Sequence, residues 1–393
     1  MKVLWEHLDY RAFTCYTAFT KAVKAGVLVK VLITSFFKER ERLVTSLLKI
    51  PIVEQCEWVS DKRDGFNASV VFTDGTSVGL DVVVLQNAYP AMIAKVIAER
   101  IADGSVKNKQ SEDRKKLKNV DDIVYPVIMA PYISEESAKQ CEKLKVGYVD
   151  MSGNSRLQVR SLYMSEQGHP NQYIQKRTLK TVFDPMSKVS SIILREIMHD
   201  VSYKWKLSLL SEKLQCSIGQ VSKVKNYLLE QLWAEMPRGG LRILDAEAIM
   251  LAWSKAYSGR DVTADVLDCY SLDSLPDFEA KSQEIRIKHG IDSYLTGIAG
   301  GVQYAPVVRY NKVHLIVHQK NANAFIQAAG CKVVGSGANI QINVINSDEF
   351  LHDARELNGY LVASPVQIYL DCMKLKGRGE EVANAIFAKE IEK

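Results

Sequence analysis

Residues 207–244 read LSLLSEKLQCSIGQVSKVKNYLLEQLWAEMPRGGLRIL, and the architecture of the second half of the chain follows from them. From Ser217 to about Gln231 the apolar residues Val221, Val224 and Leu228 are spaced three and four apart, which predicts a helix with one buried stripe. Gln220, Lys223 and Asn226 fall on its other side. Leu207–Leu214, with Leu209, Leu210 and Leu214, predicts a helix just before it, and Cys216-Ser217-Ile218-Gly219 the turn between them. Upstream, Val189–Met198 carries Ile192, Ile193, Ile197 and Met198 and predicts a first helix. Downstream, Arg238-Gly239-Gly240 predicts a hairpin turn between two short strands. Helix, helix, turn, helix, hairpin is the order of a winged helix-turn-helix.

That order suits duplex DNA. The third helix would place its N-terminal side chains in the major groove, and the hairpin would reach a phosphate or the minor groove. Gln220 can pair with adenine through both amide atoms, and Lys223 and Lys225 can meet guanine edges or phosphates. Asn226, Arg238 at the hairpin tip and Arg242 complete the expected contact set. Ser217 is placed to cap the helix, where free amides favour a phosphate. The rival use of such a module is contact with another protein. Residues 180–242 hold ten Lys and Arg against six Asp and Glu, a balance that favours a polyanion.

Working outward, the charge divides unevenly. Residues 260–393 hold 14 Lys and Arg against 17 Asp and Glu, while the preceding 259 residues hold 37 against 29. A basic front and a slightly acidic back are what a DNA-binding front would show. With 393 residues, 47% hydrophobic and 25% charged, the chain can bury substantial cores. It has no run of about 20 apolar residues, which argues against a membrane span. Charges at Glu6, Asp9 and Arg11 stand where a secretion signal needs apolar residues. The seven cysteines, at 15, 56, 141, 216, 269, 331 and 372, form no CxxC pair and no cluster with histidine. Reduced, mostly buried thiols in a cytoplasmic protein are expected, with no cofactor and no metal.

Residues 1–50 read as helices, with a charged pentad Lys38–Arg42 on a solvated face. Asp74-Gly75 between β-branched runs predicts a hairpin, Tyr89–Ile101 a helix, residues 104–120 an exposed polar loop and Ile123–Ala130 a buried strand. Ser134, followed by Glu135 and Glu136, predicts a helix start. Val146–Asp150 and Arg156–Met164 read as further strands. The expected division is residues 1–170 as N-terminal helices plus an α/β domain, 180–257 as the winged helix-turn-helix, and 260–393 as a mixed α+β domain.

Other motifs carry structure rather than chemistry. His314 and His318 in KVHLIVH would lie about 13 Å apart along a strand, too far to share a metal. Gly335-Ser-Gly-Ala-Asn lacks the third glycine and the lysine of phosphate loops. Ser364-Pro365-Val366-Gln367 opens a helix, with Gln367 at the capping-box position. A restriction-type nuclease needs an acid, then Glu-x-Lys, to hold a metal and activate water. In Leu80-Asp81-Val-Val-Val84-Leu85-Gln86, Val84 takes the glutamate place and Gln86 the lysine place, so no working nuclease is expected.

The C-terminal half resembles the AbiEi family of antitoxins and transcriptional regulators from type IV toxin–antitoxin systems. The residues that carry this are Gln303-Tyr-Ala-Pro-Val-Val-Arg-Tyr, Gly335-Ser-Gly-Ala-Asn, Leu361-Val-Ala-Ser-Pro-Val-Gln-Ile-Tyr-Leu-Asp and Lys376-Gly-Arg-Gly-Glu-Glu-Val-Ala. The resemblance implies a winged helix joined to an antitoxin domain, and a repressor of its own operon that binds inverted repeats as two copies. It also implies opposition to a nucleotidyltransferase toxin without a stable complex. The N-terminal part resembles the restriction-endonuclease-like fold, through Ala130-Pro-Tyr-Ile-Ser-Glu-Glu-Ser and Gly147-Tyr-Val-Asp-Met-Ser-Gly-Asn. The expectation is therefore a non-enzymatic DNA-binding regulator. A metal-dependent nuclease and a protein-interaction scaffold are the alternatives.

Overall fold

The computed structural model describes residues 41, 43–62, 64–102, 124–173, 182–184, 187–258, 263–375 and 377–392. The helices expected within residues 1–40, the polar stretch 104–120 and Lys376 lie outside these. The chain is a mixed α/β protein of two compact units, Met1–Gln175 and Lys176–Lys393. Among the described residues, no helix is long and apolar enough to cross a membrane.

The first unit is built on a seven-stranded sheet in sequence order. Strands β1 (Val53–Lys62), β2 (Gly65–Phe72) and β3 (Ser77–Val84) form an antiparallel meander. The expected Asp74-Gly75 turn joins β2 to β3. Helix α2 (Pro90–Ala102) crosses to β4 (Val124–Ala130), and α3 (Glu135–Leu144) crosses to β5 (Gly147–Asp150). These crossovers make β3, β4 and β5 parallel neighbours. The stretch expected to be one strand from Arg156 is two, β6 (Ser155–Val159) and β7 (Leu162–Glu166), because Arg160 turns the chain in the left-handed region.

Period-two alternation sorts the side chains of this sheet. Val78, Leu80 and Val82 face a core shared with Leu43 and Leu47 of helix α1, whose described part is residue 41 and residues 43–48. Val83, Ile128 and Ala130 face α2 and α3 through Ile93, Ile97 and Cys141. Ser134 caps α3 as expected, accepting from Ser137 N.

Two motifs of this unit turn out to be locks. Asp150, 2% exposed, accepts from Ile133 N at 3.0 Å and from Asn154 N and Nδ2 at 2.8 Å each. Asn154 in turn donates to His169 O and accepts from His169 N. These bonds tie the chain beyond β7 back to the β5–β6 turn.

The second unit begins with three helices, α4 (Lys188–His199), α5 (Leu207–Lys213) and α6 (Ile218–Glu230), each within two residues of its expected bounds. A two-stranded hairpin follows, β8 (Ala234–Glu235) with β9 (Arg242–Ile243), and then α7 (Ala246–Ser258). The remainder is a seven-stranded mixed sheet built from β10 (Asp265–Tyr270), β11 (Ser293–Thr296), β12 (Val313–His318), β13 (Lys332–Val333), β14 (Ile340–Ile345), β15 (Arg355–Leu357) and β16 (Tyr360–Val362), in the order β13-β10-β14-β12-β11-β16-β15. Its central strands are β12, parallel to β14 and antiparallel to β11. Helices α8 (Leu275–His289), α9 (Gly297–Tyr304), α10 (Ala322–Ala329) and α11 (Pro365–Lys374) pack beside it, and α12 (Arg378–Ile386) packs on α9 and α11.

One apolar core runs through this unit from Val182 to Ile391, taking in the first three helices, the hairpin and the sheet. Buried polar bonds cross it. Arg195 Nη2 donates to Gln367 Oε1 at 2.6 Å, Gln367 Nε2 donates to Tyr257 OH at 2.9 Å, and Tyr257 OH donates to Asp371 Oδ1 at 2.9 Å. Ser364 caps α11 through Gln367 N, but the side chain of Gln367 does not return to the cap as expected; it serves Arg195 and Tyr257.

Candidate nucleic-acid interface

Helix α6 buries Val221, Val224 and Leu228, at 1%, 0% and 0% exposed. At 100° per residue the opposite line of the helix is Gly219, Lys223 and Asn226, all of them exposed. Lys225 is half-buried on the flank. Among the described residues, no carboxylate forms an ion pair with Lys223, Lys225 or Arg238.

Ser217 caps the helix as expected, and the cap is reciprocal. Ser217 Oγ accepts from Gln220 N at 3.3 Å, and Gln220 Oε1 accepts from Ser217 N at 2.9 Å and from Ser217 Oγ at 3.0 Å. The cap gives Gln220 a structural role that the sequence reading did not assign. Pairing with adenine needs the carbonyl and the amine of the amide together. The carbonyl of Gln220 is committed to the cap, and Gln220 stands only 40° round the helix from the buried Val224. Gln220 is a helix-start residue. Arg242 is also differently placed: its guanidinium meets Glu235 at 2.5 Å across the β8–β9 pair, so its charge is offset within the hairpin.

Arg238 is exposed on the turn before β9, as expected. The turn is held by an extra pairing, in which Trp205 and Leu241 exchange both backbone hydrogen bonds at 2.9 Å. Gly240 sits at φ +142°, and a Cβ there would lie 2.5 Å from Trp205 O. Trp205 therefore pairs as a single β-bridge beside the hairpin. Its neighbours Lys204 and Lys206 are exposed, and the Cδ of Lys204 lies 3.8 Å from where a Cβ on Gly239 would be. Sequence reasoning missed both lysines, although the Lys-Trp-Lys alternation around one buried aromatic was the available signal.

Acidic and histidine groups cluster elsewhere, on the side of α4 towards the sheet. Glu196 takes Lys213 Nζ at 2.5 Å and His352 Nε2 at 3.1 Å, and His199 Nδ1 lies 2.9 Å from Asp353 Oδ2. His314 is buried, and burial pushes its pKa down to about 4. His318 caps a short turn, accepting from Lys320 N. Neither histidine takes part in a metal cluster, and no group of three or more His, Cys, Asp or Glu able to hold a metal occurs among the described residues.

In the first unit, Asp81 is fully buried on β3, with Arg100 Nε at 3.5 Å, and Arg100 Nη2 reaches Asp64 at 2.6 Å. Val84 ends β3, and Gln86 lies beyond it. The buried carboxylate of Asp81 thus has a guanidinium beside it. The thiols are free, and five of the six described are buried. Burial pushes the pKa of Cys141 and of Cys269 up to about 12, which keeps both protonated.

No curated protein and no solved structure matches the chain. Residues 242–392, from the second strand of the hairpin through the mixed sheet and its helices, match the family described as transcriptional regulator, AbiEi antitoxin, type IV TA system.

Proposed function

We propose that the protein is a DNA-binding transcriptional regulator of the AbiEi antitoxin type, with Trp205, α4–α6 and the β8–β9 hairpin acting as a winged helix-turn-helix. The observation that carries this is the outer face of α6: among the described residues Lys223 and Asn226 stand exposed and without an ion pair, and the hairpin that follows bears Arg238, likewise exposed and without an ion pair. The matched region is described as a regulator, and it shares one core with these helices. Ser217, Lys223, Lys225, Asn226 and Arg238 remain the proposed contacts. Gln220 acts on the helix end, and Arg242 contributes only where it leaves Glu235. Two copies would bind an inverted repeat, and the protein would oppose a nucleotidyltransferase toxin encoded beside it.

We read the first unit as a restriction-endonuclease-like scaffold without metal chemistry, because Arg100 already compensates Asp81. The test is a binding titration on the DNA upstream of the protein's own gene, at several salt concentrations. The expected result is a complex whose affinity falls steeply with salt and exceeds that for random duplex. Equal, salt-insensitive binding to both DNAs would remove the DNA-reading proposal and favour a protein-interaction role.

A further inference from the structure

Two residues at the start of α6 serve no purpose inside the protein. Ile218 is 51% exposed, an isoleucine at the first helical position with about half of its surface in solvent. Gly219 lies diametrically opposite the buried stripe. A Cβ there would meet only Ser217 Oγ, at an ordinary 3.8 Å, and its φ is not in the left-handed region. Neither packing nor backbone geometry asks for glycine, and a glycine in a helix is less stable than alanine. Among the described residues Lys223 and Lys225 on the same helix form no ion pair, nor do Arg238, Lys204 and Lys206 at the hairpin, and residues 180–242 hold ten Lys and Arg against six Asp and Glu. That charge pattern commits the occupant of this face to a polyanion.

We propose that Ile218 and Gly219 form the point of closest approach to duplex DNA, with Gly219 letting the helix sink into the major groove and Ile218 contacting a thymine methyl group. This rests on the DNA-reading proposal and specifies how sequence is distinguished once Gln220 is withdrawn. The major-groove edge of thymine is the one that offers an apolar group, and an exposed aliphatic side chain is its natural partner.

The experiment uses the full chain and a duplex selected by the wild-type protein from a random pool. Gly219→Ala is expected to raise the melting temperature, by up to roughly 4 °C, while weakening the selected duplex about tenfold or more, as an inserted methyl group does in a packed contact. Opposite signs in the two readouts separate a contact role from a structural one. Replacing each thymine of the selected duplex by deoxyuridine in turn should cost wild type about fourfold at one position per half-site, the value of one buried methyl group. Ile218→Ala should show no such penalty. If Gly219→Ala binds as tightly as wild type, or if Ile218→Ala remains sensitive to the same deoxyuridine, the inference is overturned while the winged-helix reading stands. If wild type enriches no sequence from the pool, the DNA-reading proposal itself fails, and this inference with it.

Discussion

Replacing Gly240 with alanine probes how the hairpin tip is held. At φ +142° the backbone occupies a region that residues with a Cβ rarely adopt. The new Cβ would also fall 2.5 Å from Trp205 O and 2.6 Å from Trp205 C. Both are backbone atoms, so no side-chain rotation relieves the contact. Relief requires the strand to part from Trp205, which breaks the two hydrogen bonds with Leu241. Two such bonds at about 1 kcal/mol each, plus about 1–3 kcal/mol for the backbone conformation, give a loss of roughly 3–5 kcal/mol. Gly239→Ala supplies the control. It has φ +111° but meets only the Cδ of Lys204, at 3.8 Å, so its loss should be the backbone part alone, about 1–3 kcal/mol. Urea unfolding followed by tryptophan fluorescence measures both, since Trp205, Trp233 and Trp253 lie in the same core. An unfolding free energy for Gly240→Ala no lower than that for Gly239→Ala would refute the close-approach reasoning.

Further outcomes are expected. Lys223→Ala and Arg238→Ala should each reduce the slope of log affinity against log salt by about 1, while Lys320→Ala, far along the chain in the sheet region, leaves it unchanged; an unchanged slope in the first two would remove them from the interface. Glu235→Gln releases Arg242 and should steepen the same slope, and a flat result would show that Arg242 meets no phosphate. Asp150→Asn puts an amide donor against at least one of the three N–H groups that the carboxylate accepts. A loss of roughly 2–4 kcal/mol in the first unit is expected by calorimetry, and a variant as stable as wild type would contradict the lock. His314 is neutral when folded, with its pKa lowered to about 4, and takes up a proton on unfolding below its ordinary 6.5. Its contribution is thus fully present above pH 6.5 and lost as pH falls towards 4, by at most roughly 3 kcal/mol, and His314→Gln should remove that part of the pH dependence of urea unfolding. Incubation with Mg²⁺ or Mn²⁺ should give no DNA cleavage; a cleavage activity abolished in Asp81→Ala would reverse the reading of the first unit.

Local features were legible where a single residue type fixes a local geometry. The stripe Val221, Val224 and Leu228 announced α6, Ser134 and Ser217 announced helix starts, and Asp74-Gly75 announced a hairpin. Roles were less legible than elements. The Ser217-x-x-Gln220 spacing is itself a capping-box signature, yet a glutamine near a helix start reads equally as a base contact, and only the geometry decides between them. Gln367 failed in the opposite direction: placed as a cap by its spacing, it is drawn off by Arg195, a residue 172 positions away. The second sheet was opaque for a related reason. Its strands are two to six residues long, and the pairs β12–β14 and β11–β16 join segments separated by helices, so no local pattern encodes the order. Charge bookkeeping pointed to the basic half but could not show that Arg242 is already answered by Glu235.

The bonds that run from Arg195 through Gln367 and Tyr257 to Asp371 bear on how such a gene can be inherited. Their partners lie on both sides of the stretch between α7 and β10 (Asp265–Tyr270), where the sequence reading divides two domains. A recombination there would hand one descendant a buried guanidinium without its glutamine, and the other a glutamine and an aspartate without their tyrosine. Recombination among chains of this build should therefore leave crossovers upstream of Val182, so that the first helices and the mixed sheet of the second unit descend together.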